Sequence, residues 1–288
     1  MGTTVRVQHG IACPDIGPVC ALRDEPPQHH DQRFWIAELR MQAEYAVTDW
    51  LGVELQFPLR LSSTSITYRD VDGNAFVPDQ RDIHHRNETL FGVGDLWLSS
   101  RFRQRFGAFS FSGRLGLTVP LGRTELNPFA AGRAGFEHQH VQFGTGTFDP
   151  LLGLEAAYAW ERVTARVYGQ AQLTLSESAK SFQAGSRFGG GVAVDFKLIP
   201  SLQVGVTAET LTELPERWEG VVEQDGNVGR TDVLLGLSGA WTVGGSTLTL
   251  SLRVPVYQHF IDTSADGGQL KYPGIVQLAF QRPFDLLH

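Results

Sequence analysis

Apolar and polar residues alternate along about eleven separate segments of this chain, and this period of two constrains the fold more than any other feature. In residues 35–47 the odd-numbered positions are apolar, whereas Glu38, Arg40 and Glu44 lie between them. Because successive side chains of a strand point to opposite faces, such a segment has one apolar face and one charged face. The charged face does not suit the core of a soluble sandwich. It suits a closed sheet with lipid outside and a polar lumen inside.

The length of these segments also favours a membrane-spanning sheet. Most are about 9 to 14 residues long, which covers the length that a tilted strand needs to cross a bilayer core. Strands of soluble proteins are usually nearer to about five or six residues. The segments lack the three- and four-residue spacing of an amphipathic helix, and no run of about 18 apolar residues indicates a membrane helix. We therefore predict an all-β fold, a transmembrane antiparallel up-and-down β-barrel of about 12 strands, with ten to fourteen as the range.

Short and long connections alternate between the predicted strands. The short turns lie at Thr48–Trp50, Gln104–Gly107, Glu161–Arg162, Ile199–Ser201 and Val243–Ser246. The long polar loops lie at residues 64–89, 122–149, 176–186, 211–231 and 258–272. This asymmetry is typical of an outer-membrane barrel, with short periplasmic turns and long extracellular loops.

Aromatic residues recur at the short-turn ends of the descending strands, on the apolar face. The six that we predict to form a membrane girdle are Tyr45, Phe102, Trp160, Phe196, Trp241 and Phe280. Aromatic rings prefer the interface between membrane and water, which is where these strand ends would lie. A soluble core would not explain why the rings cluster at one end of the strands.

The N-terminal region differs from the rest of the chain. We predict an N-terminal segment over residues 1–32 and a barrel over residues 33–284. Thr3–Ile11 alternates and is a candidate first strand, which would give the barrel an even strand number. Cys13 and Cys20 are the only cysteines, and in an oxidising compartment we expect them to form a disulfide. Met1–Ala12 lacks the apolar run of a signal peptide, so we expect the natural start to lie upstream.

The polar faces of the strands carry acids and bases of both signs, which would line the lumen. They are Glu38, Arg40, Glu44, Glu54, Arg60, Asp95, Arg101, Arg103, Arg114, Glu155, Arg166, Asp195, Lys197, Glu209 and Arg253. One interpretation is a lattice of ion pairs that fills a narrow barrel; the other is a channel wall whose charges select solutes. Barrels of about eight strands are filled and those of about 16 conduct, so a barrel of about 12 leaves both interpretations open.

Other kinds of site have weaker support. His138 and His140 are candidate metal ligands, but two imidazoles alone do not make a site, and we predict no metal and no cofactor. His259, with Asp262 and Ser264 nearby, lacks a nucleophile motif, so we do not predict an enzyme. Asp70–Asn74 begins like a calcium loop, but Arg81 stands where the bidentate glutamate belongs, so we interpret it as a turn.

Four short motifs, in order along the chain, resemble those of the phenol-degradation meta-pathway transporter family of outer-membrane proteins. They are Gly92-Val93-Gly94-Asp95-Leu96-Trp97-Leu98, Gly116-Leu117-Thr118-Val119-Pro120-Leu121-Gly122, Gly144-Thr145-Gly146-Thr147-Phe148-Asp149-Pro150 and Val254-Pro255-Val256-Tyr257-Gln258. The resemblance spans residues 35–284 and implies a barrel of roughly 12 strands that passes small molecules, including aromatic or hydrophobic ones. The Cys13–Cys20 segment and the last residues, 283–288, depart from the family pattern.

These observations predict a porin-like outer-membrane channel of a Gram-negative bacterium, for small hydrophobic or aromatic molecules. The alternative is a non-conducting barrel that acts as a scaffold, adhesin or envelope-complex partner through its long loops. Whether the loop 122–149 folds into the lumen as a plug would discriminate between the two. The expected partners are the lipid bilayer, a small solute and an envelope protein, and we expect a monomer. Nucleic acid is not expected, because the net charge is −7 and there is no basic run.

Overall fold

The computed structural model describes residues 2–8, 28–70, 72–77, 86–224, 226–261 and 270–284. Almost all regular structure in these residues is β-strand. The elements are β1 (Gly2–Gln8), β2 (Gln28–Ala46), β3 (Leu51–Asp70), β4 (Ala75–Phe76), β5 (Glu88–Val93), β6 (Leu96–Phe106), β7 (Phe109–Val119), α1 (Pro128–Arg133), β8 (Pro150–Trp160), β9 (Val163–Gln172), β10 (Phe182–Gln183), β11 (Arg187–Ile199), β12 (Leu202–Glu213), β13 (Arg217–Trp218), β14 (Arg230–Val243), β15 (Ser246–Phe260) and β16 (Ile275–Gln281).

The main sheet is an antiparallel meander. Its order is β1-β2-β3-β6-β7-β8-β9-β11-β12-β14-β15-β16, so each long strand pairs with its neighbours in sequence. β5 and β6 both pair with β3 and form the two halves of one span, interrupted at Gly94 and Asp95. Twelve long strands in this order confirm the predicted up-and-down barrel fold. No helix among the described residues is both long enough and apolar enough to cross a membrane.

The predicted alternation of short and long connections is confirmed. Only a few residues separate β2 from β3, β6 from β7, β8 from β9, β11 from β12 and β14 from β15. Glu161, Gly107, Gly244 and Gly245 adopt positive φ values in these turns. Such values are typical of the tight hairpin turns that match the twist of antiparallel strands.

Several strands extend further than the side-chain pattern indicated. β3 continues to Asp70, so the loop predicted from residue 64 begins later. β2 begins at Gln28 and runs through the predicted boundary between residues 32 and 33. The candidate first strand Thr3–Ile11 coincides with β1 over residues 3–8, and its residues 9–11 lie outside the described residues. The reason is that backbone hydrogen bonds continue the ladder where polar residues replace the alternating apolar ones. The predicted Cys13–Cys20 disulfide lies outside the described residues.

The two faces of the sheet have the polarity that a barrel in lipid requires. Apolar side chains on the outer face are exposed, for example Leu154, Leu237 and Leu250. Many of the most deeply buried side chains are polar and face inward: Glu54, Asp95, Thr118, Asp149, Asp195, Glu209 and Asp232. This inverted distribution is the opposite of a soluble protein, in which buried side chains are mostly apolar.

A small apolar cluster lies above the barrel, in the long connections. Phe182 of β10 and Trp218 of β13 pair in a two-stranded sheet, with ring centroids 4.7 Å apart. Phe129 of α1 packs against them. α1 begins after Asn127, whose side chain accepts hydrogen bonds from the backbone N–H groups of Phe129 and Ala130, and Pro128 occupies its first turn. We call Phe129, Phe182, Ala184 and Trp218 the loop cluster.

Candidate functional site

Three of the four sequence motifs meet at the carboxylate of Asp95. Its Oδ1 accepts a hydrogen bond from the backbone N–H of Gly122 at 2.9 Å. Its Oδ2 accepts two from Thr145, one from the backbone N–H at 2.7 Å and one from the hydroxyl at 3.0 Å. Asp95 is buried, and these charge-assisted bonds satisfy its oxygens. The long connection between β7 and β8 is therefore fastened to the wall of the barrel.

Two glycines allow this close approach. A Cβ atom on Gly144 would lie 2.3 Å from Oδ1 of Asp95 and 2.7 Å from the Cα of Gly122. A Cβ atom on Gly122 would lie 2.5 Å from the Cα of Gly144. Contacts this short are not tolerated, so the two backbones can pass each other only without side chains.

Phe143 precedes this contact and is fully buried. A Cβ atom on Gly92 would lie 3.1 Å from its ring, and one on Gly94 would lie 3.3 Å from its carbonyl oxygen. Its carbonyl oxygen accepts a hydrogen bond from Nη1 of Arg60 at 2.9 Å. The guanidinium of Arg123 lies 5.8 Å from the centre of the ring. An aromatic side chain and an arginine thus hold the connection against β3 and β5.

The following residues continue along the inner wall. Thr118 donates from its hydroxyl to the carbonyl of Thr147 at 3.2 Å. Asp149 accepts from the Thr147 hydroxyl at 2.6 Å and from Nε2 of Gln172 at 2.8 Å. We call residues 143–149 the inner loop, because they contact β3, β5, β7, β9 and Asp95 on the polar face of the sheet. The sequence left open whether the loop 122–149 folds into the lumen. In the structure, residues 143–149 of this loop lie against the inner wall.

A second long connection is fastened at another point of the wall. Arg230 donates to both carboxylate oxygens of Asp232, at 2.9 and 3.0 Å, and from Nη1 to the carbonyl of Leu270 at 2.9 Å. The hydroxyl of Tyr272 donates to Asp232 at 2.7 Å. Burial raises the pKa of the Tyr272 hydroxyl, and so does its hydrogen bond to Asp232. It remains a neutral hydrogen-bond donor.

The predicted lumen residues of β2 and β3 form an ion cluster around Glu38. Oε1 of Glu38 accepts from Nε of Arg40 at 2.9 Å and from its Nη2 at 2.5 Å. Oε2 accepts from Nε of Arg60 at 2.8 Å. The guanidinium of Arg40 also lies over the ring of Trp97, 5.3 Å from its centre, a cation–π contact inside the lumen. Two arginines therefore share one carboxylate.

Glu44 is the centre of a similar cluster closer to the short turns. Arg101 lies 3.1 Å from one of its oxygens, and Arg103 lies 2.8 Å from the other. Gly52 stands beside this cluster, where a Cβ atom would be 3.2 Å from Oε1 of Glu44. Again two arginines share one carboxylate.

Other predicted lumen residues form ion pairs in which the number of arginines does not exceed the number of carboxylates. Glu54 is fully buried and forms one ion pair, with Arg114 at 2.8 Å. On the far wall, Arg253 pairs with Glu209 at 2.8 Å. Arg166 lies 2.8 Å from Asp195 and 3.9 Å from Glu155, so here one arginine serves two carboxylates. Each predicted lumen acid lies beside a predicted lumen arginine, with the exception of Asp95. Asp95 instead binds the connection between β7 and β8.

The six predicted girdle residues, Tyr45, Phe102, Trp160, Phe196, Trp241 and Phe280, are all exposed on the outer face. Trp160 and Phe196 both lie opposite Val163, and Trp241 and Phe280 both lie opposite Leu248, so they form rows across adjacent strands. Their role at the membrane interface stays a prediction.

The weaker candidates lie in the connections. The rings of His138 and His140 are 5.1 Å apart, and His140 also contacts Phe129 edge-on. Within the described residues, no group of three or more His, Cys, Asp or Glu side chains could hold a metal ion. Asp70 accepts hydrogen bonds from the backbone N–H groups of Asp72 and Asn74, as expected for a turn. Asp262 and Ser264 lie outside the described part of the chain.

Sequence reasoning missed several polar residues of the inner wall. Thr118, Thr145, Thr147 and Asp149 were not predicted as site residues, although all are buried and interact with one another or with the wall. The signal available was the Gly-Thr-Gly-Thr stretch at 144–147, which is too short and too polar to be a strand. Trp97 was also missed, because an aromatic on the polar face does not fit the alternating pattern.

Comparison with known proteins tests the fold. No known family profile matches the chain. No curated protein matches it in sequence. Among solved structures, an outer membrane channel from Pseudomonas putida F1 is similar with a TM-score of 0.55 and 13% sequence identity, covering 97% of this chain and 91% of that one. The chain has the fold of an outer-membrane β-barrel. A second similar structure is OmpT, an outer membrane protein of Vibrio cholerae, with a TM-score of 0.36, 8% identity and coverage of 97% and 96%.

The fold and the apolar outer face together place this β-barrel in the bacterial outer membrane, as the sequence predicted. Exposed apolar side chains cover its outer face from β2 at Trp35 to β16 at Phe280, which is typical of a surface that faces lipid. The narrower likeness to the phenol-degradation transporter family remains a resemblance carried by the motifs around Asp95.

Proposed function

We propose that this barrel is an outer-membrane channel for small molecules, and that the inner loop narrows its lumen. The observation that carries this proposal is the position of residues 143–149 against the polar inner wall, held by Asp95 and Arg60. A loop folded inward reduces the cross-section of a barrel that would otherwise be wide enough for solutes. It would also make passage depend on how firmly the loop is held.

The charged residues of the inner wall support an open lumen rather than a filled one. The side chains of Arg40 and Arg103 keep 45% and 51% of their surface exposed, although both take part in ion pairs. A lattice that filled the lumen would bury such groups, as it buries Glu54. Polar side chains that remain accessible to water are typical of a conducting pore.

The solutes that we propose are small, and hydrophobic or aromatic molecules are among them. The motif resemblance implies this class. Trp97 adds support, because it lies opposite the buried Gln56 and Thr118 on the inner face and offers an aromatic surface there. The charged wall would at the same time admit polar solutes, so a wholly apolar path is not required.

Single-channel conductance of the refolded full chain in a planar bilayer tests this proposal. We expect discrete conductance steps, and larger steps for Asp95→Asn, because the variant weakens the attachment of the inner loop. Asp72→Asn, in an exposed turn, is the matched control and should conduct like the wild type. Silence of a folded wild-type barrel, checked by its heat-dependent migration on a gel, would reject the channel.

A second function is favoured by the loop cluster. Phe129, Phe182 and Trp218 give the extracellular connections their own small apolar core, so these connections present a defined surface. A non-conducting scaffold or adhesin that binds an envelope partner would use such a surface. A folded but silent barrel that captures a partner only when Trp218 is intact would support this function instead.

A further inference from the structure

We propose that one side of the lumen is a path for small anions, lined by Arg40, Arg60, Arg101 and Arg103 on β2, β3 and β6. This inference rests on the channel function proposed above and names the class of solute. The four guanidiniums surround only two carboxylates, those of Glu38 and Glu44. Each cluster therefore carries one net positive charge. We call these four arginines the arginine stripe.

The arginine stripe consists of two positive clusters that follow one another along β2. Glu38 and Glu44 are six residues apart on β2, which corresponds to about 20 Å of strand at the usual rise per residue. Both lie on the polar face of the strand, at even-numbered positions. This separation exceeds the Debye length of about 8 Å at physiological salt, so the clusters act as two successive positive sites for a small anion.

The chemistry of the arginine stripe suits carboxylates in particular. A guanidinium presents several N–H donors in one plane and binds a carboxylate through two hydrogen bonds. The ring of Trp97 restrains Arg40, whose side chain is still about half exposed. Near Arg40 a small organic anion would meet both a charged group and an apolar surface.

Another part of the wall lacks this excess of positive charge. On β8, β9 and β11, Arg166 is shared by Asp195 and Glu155, and Lys197 on the same face as Asp195 brings the sum of these four charges to zero. The chain as a whole is negative, with a net charge of −7, so the arginine stripe is a local exception. The excess of positive charge around Glu38 and Glu44 would guide anions along β2, β3 and β6.

Reversal potentials in a potassium chloride gradient across a planar bilayer test this proposal with chloride as the probe. We expect the wild-type protein to prefer chloride over potassium. Arg101→Gln combined with Arg103→Gln changes the charge around Glu44 from positive to negative, and should lower the chloride preference about fivefold. Glu44→Gln should raise it, because two arginines then stand without a carboxylate. A general folding defect cannot produce changes of opposite sign.

Arg133→Gln combined with Arg217→Gln is the matched control, since it removes two exposed arginines from the extracellular connections. It should leave the reversal potential unchanged. A conducting wild type without chloride preference, or with a preference unaffected by the Arg101 and Arg103 substitutions, would overturn the arginine stripe and leave the channel intact. Complete silence of the folded protein would overturn the channel function and this inference together.

Discussion

The backbone N–H and the hydroxyl of Thr145 both donate to one carboxylate oxygen of Asp95, at 2.7 and 3.0 Å. Fifty residues separate the two in sequence, and their contact decides where the connection between β7 and β8 lies. The other carboxylate oxygen binds Gly122, at the start of the same connection. One buried carboxylate therefore holds the connection between β7 and β8 near both of its ends.

Weakening this carboxylate should release the inner loop. Asp95→Asn removes the charge that three donors share, at a cost of about 2 kcal/mol in loop attachment. We expect trypsin to cleave the refolded protein after Arg123 and Arg133 about thirtyfold faster, since release exposes the backbone around them. Asp72→Asn should leave the rate unchanged. Equal cleavage rates in the wild type and Asp95→Asn would show that Asp95 does not hold the loop.

Because Gly144 passes close to Gly122, a side chain added at Gly144 should also release the inner loop, in this case by steric clash. Gly144→Ala places a Cβ atom 2.3 Å from Oδ1 of Asp95, so the two segments must separate. We expect loop attachment to weaken by about 1–3 kcal/mol, the usual range for overpacking. Gly239→Ala is the control, because no atom lies within 4 Å of the added Cβ. We would measure the rate of loop proteolysis in both refolded variants at increasing urea concentrations. Equal proteolysis rates in Gly144→Ala and Gly239→Ala would contradict the prediction.

The ion pair between Glu54 and Arg114 should matter more for stability than the pairs of the arginine stripe. Glu54 is fully buried, so Arg114→Gln leaves an uncompensated charge and should lower the unfolding free energy by about 3–5 kcal/mol. Arg103→Gln should cost less than about 1 kcal/mol, because Arg103 is half exposed. Urea titration in lipid vesicles compares them.

A double variant provides the decisive control for this pair. Glu54→Gln combined with Arg114→Gln removes both charges and should recover most of the lost stability, since no buried charge is left alone. If the double variant is as unstable as Arg114→Gln, the loss arises from packing rather than from the charge of Glu54.

Arg114→Glu should also shift the ion preference of the lumen towards cations, and an unchanged reversal potential would contradict that.

The long connection that contains Glu216 should become less stable as the pH rises from about 4.5 to 7. Burial raises the pKa of the Glu216 carboxyl to about 7; the Trp218 indole N–H, 3.3 Å away, partly opposes the shift. Glu213 raises this pKa further and Arg187 lowers it. Because the folded pKa lies above the unfolded value of 4.5, the folded state binds more protons between pH 4.5 and 7. The contribution of Glu216 to stability is therefore fully present below pH 4.5 and falls by about 3 kcal/mol as the pH rises to 7.

Hydrogen exchange of the segment around Trp218, measured from pH 5 to pH 8, checks this expectation after correction for the intrinsic exchange rate. Protection in the wild type should decrease as the pH rises. Glu216→Gln should remove the pH dependence, since an amide does not titrate. The same pH dependence in this variant would show that another group is responsible.

The sequence alone determined the fold class and the central part of most strands, although β2 and β3 extend beyond the alternating pattern. The alternation that begins at Trp35 fixes which side chains face lipid, and the turns at Glu161 and Gly244 mark where the chain reverses. These properties are local: the period of two follows from strand geometry, and tight turns need residues that accept positive φ. Meander topology follows as well, because neighbouring strands joined by short turns pair with each other.

The tertiary structure decided which charges meet and where the long connections go. Glu38, Glu44 and Arg166 look alike in a list of alternating polar residues, yet the first two each bind two arginines and the third is shared by two acids. Such ratios depend on the register between strands, which brings together residues far apart in sequence. In the same way, the inward path of residues 143–149 depends on a carboxylate at Asp95 and on room beside Gly122, and no local pattern in the loop encodes either.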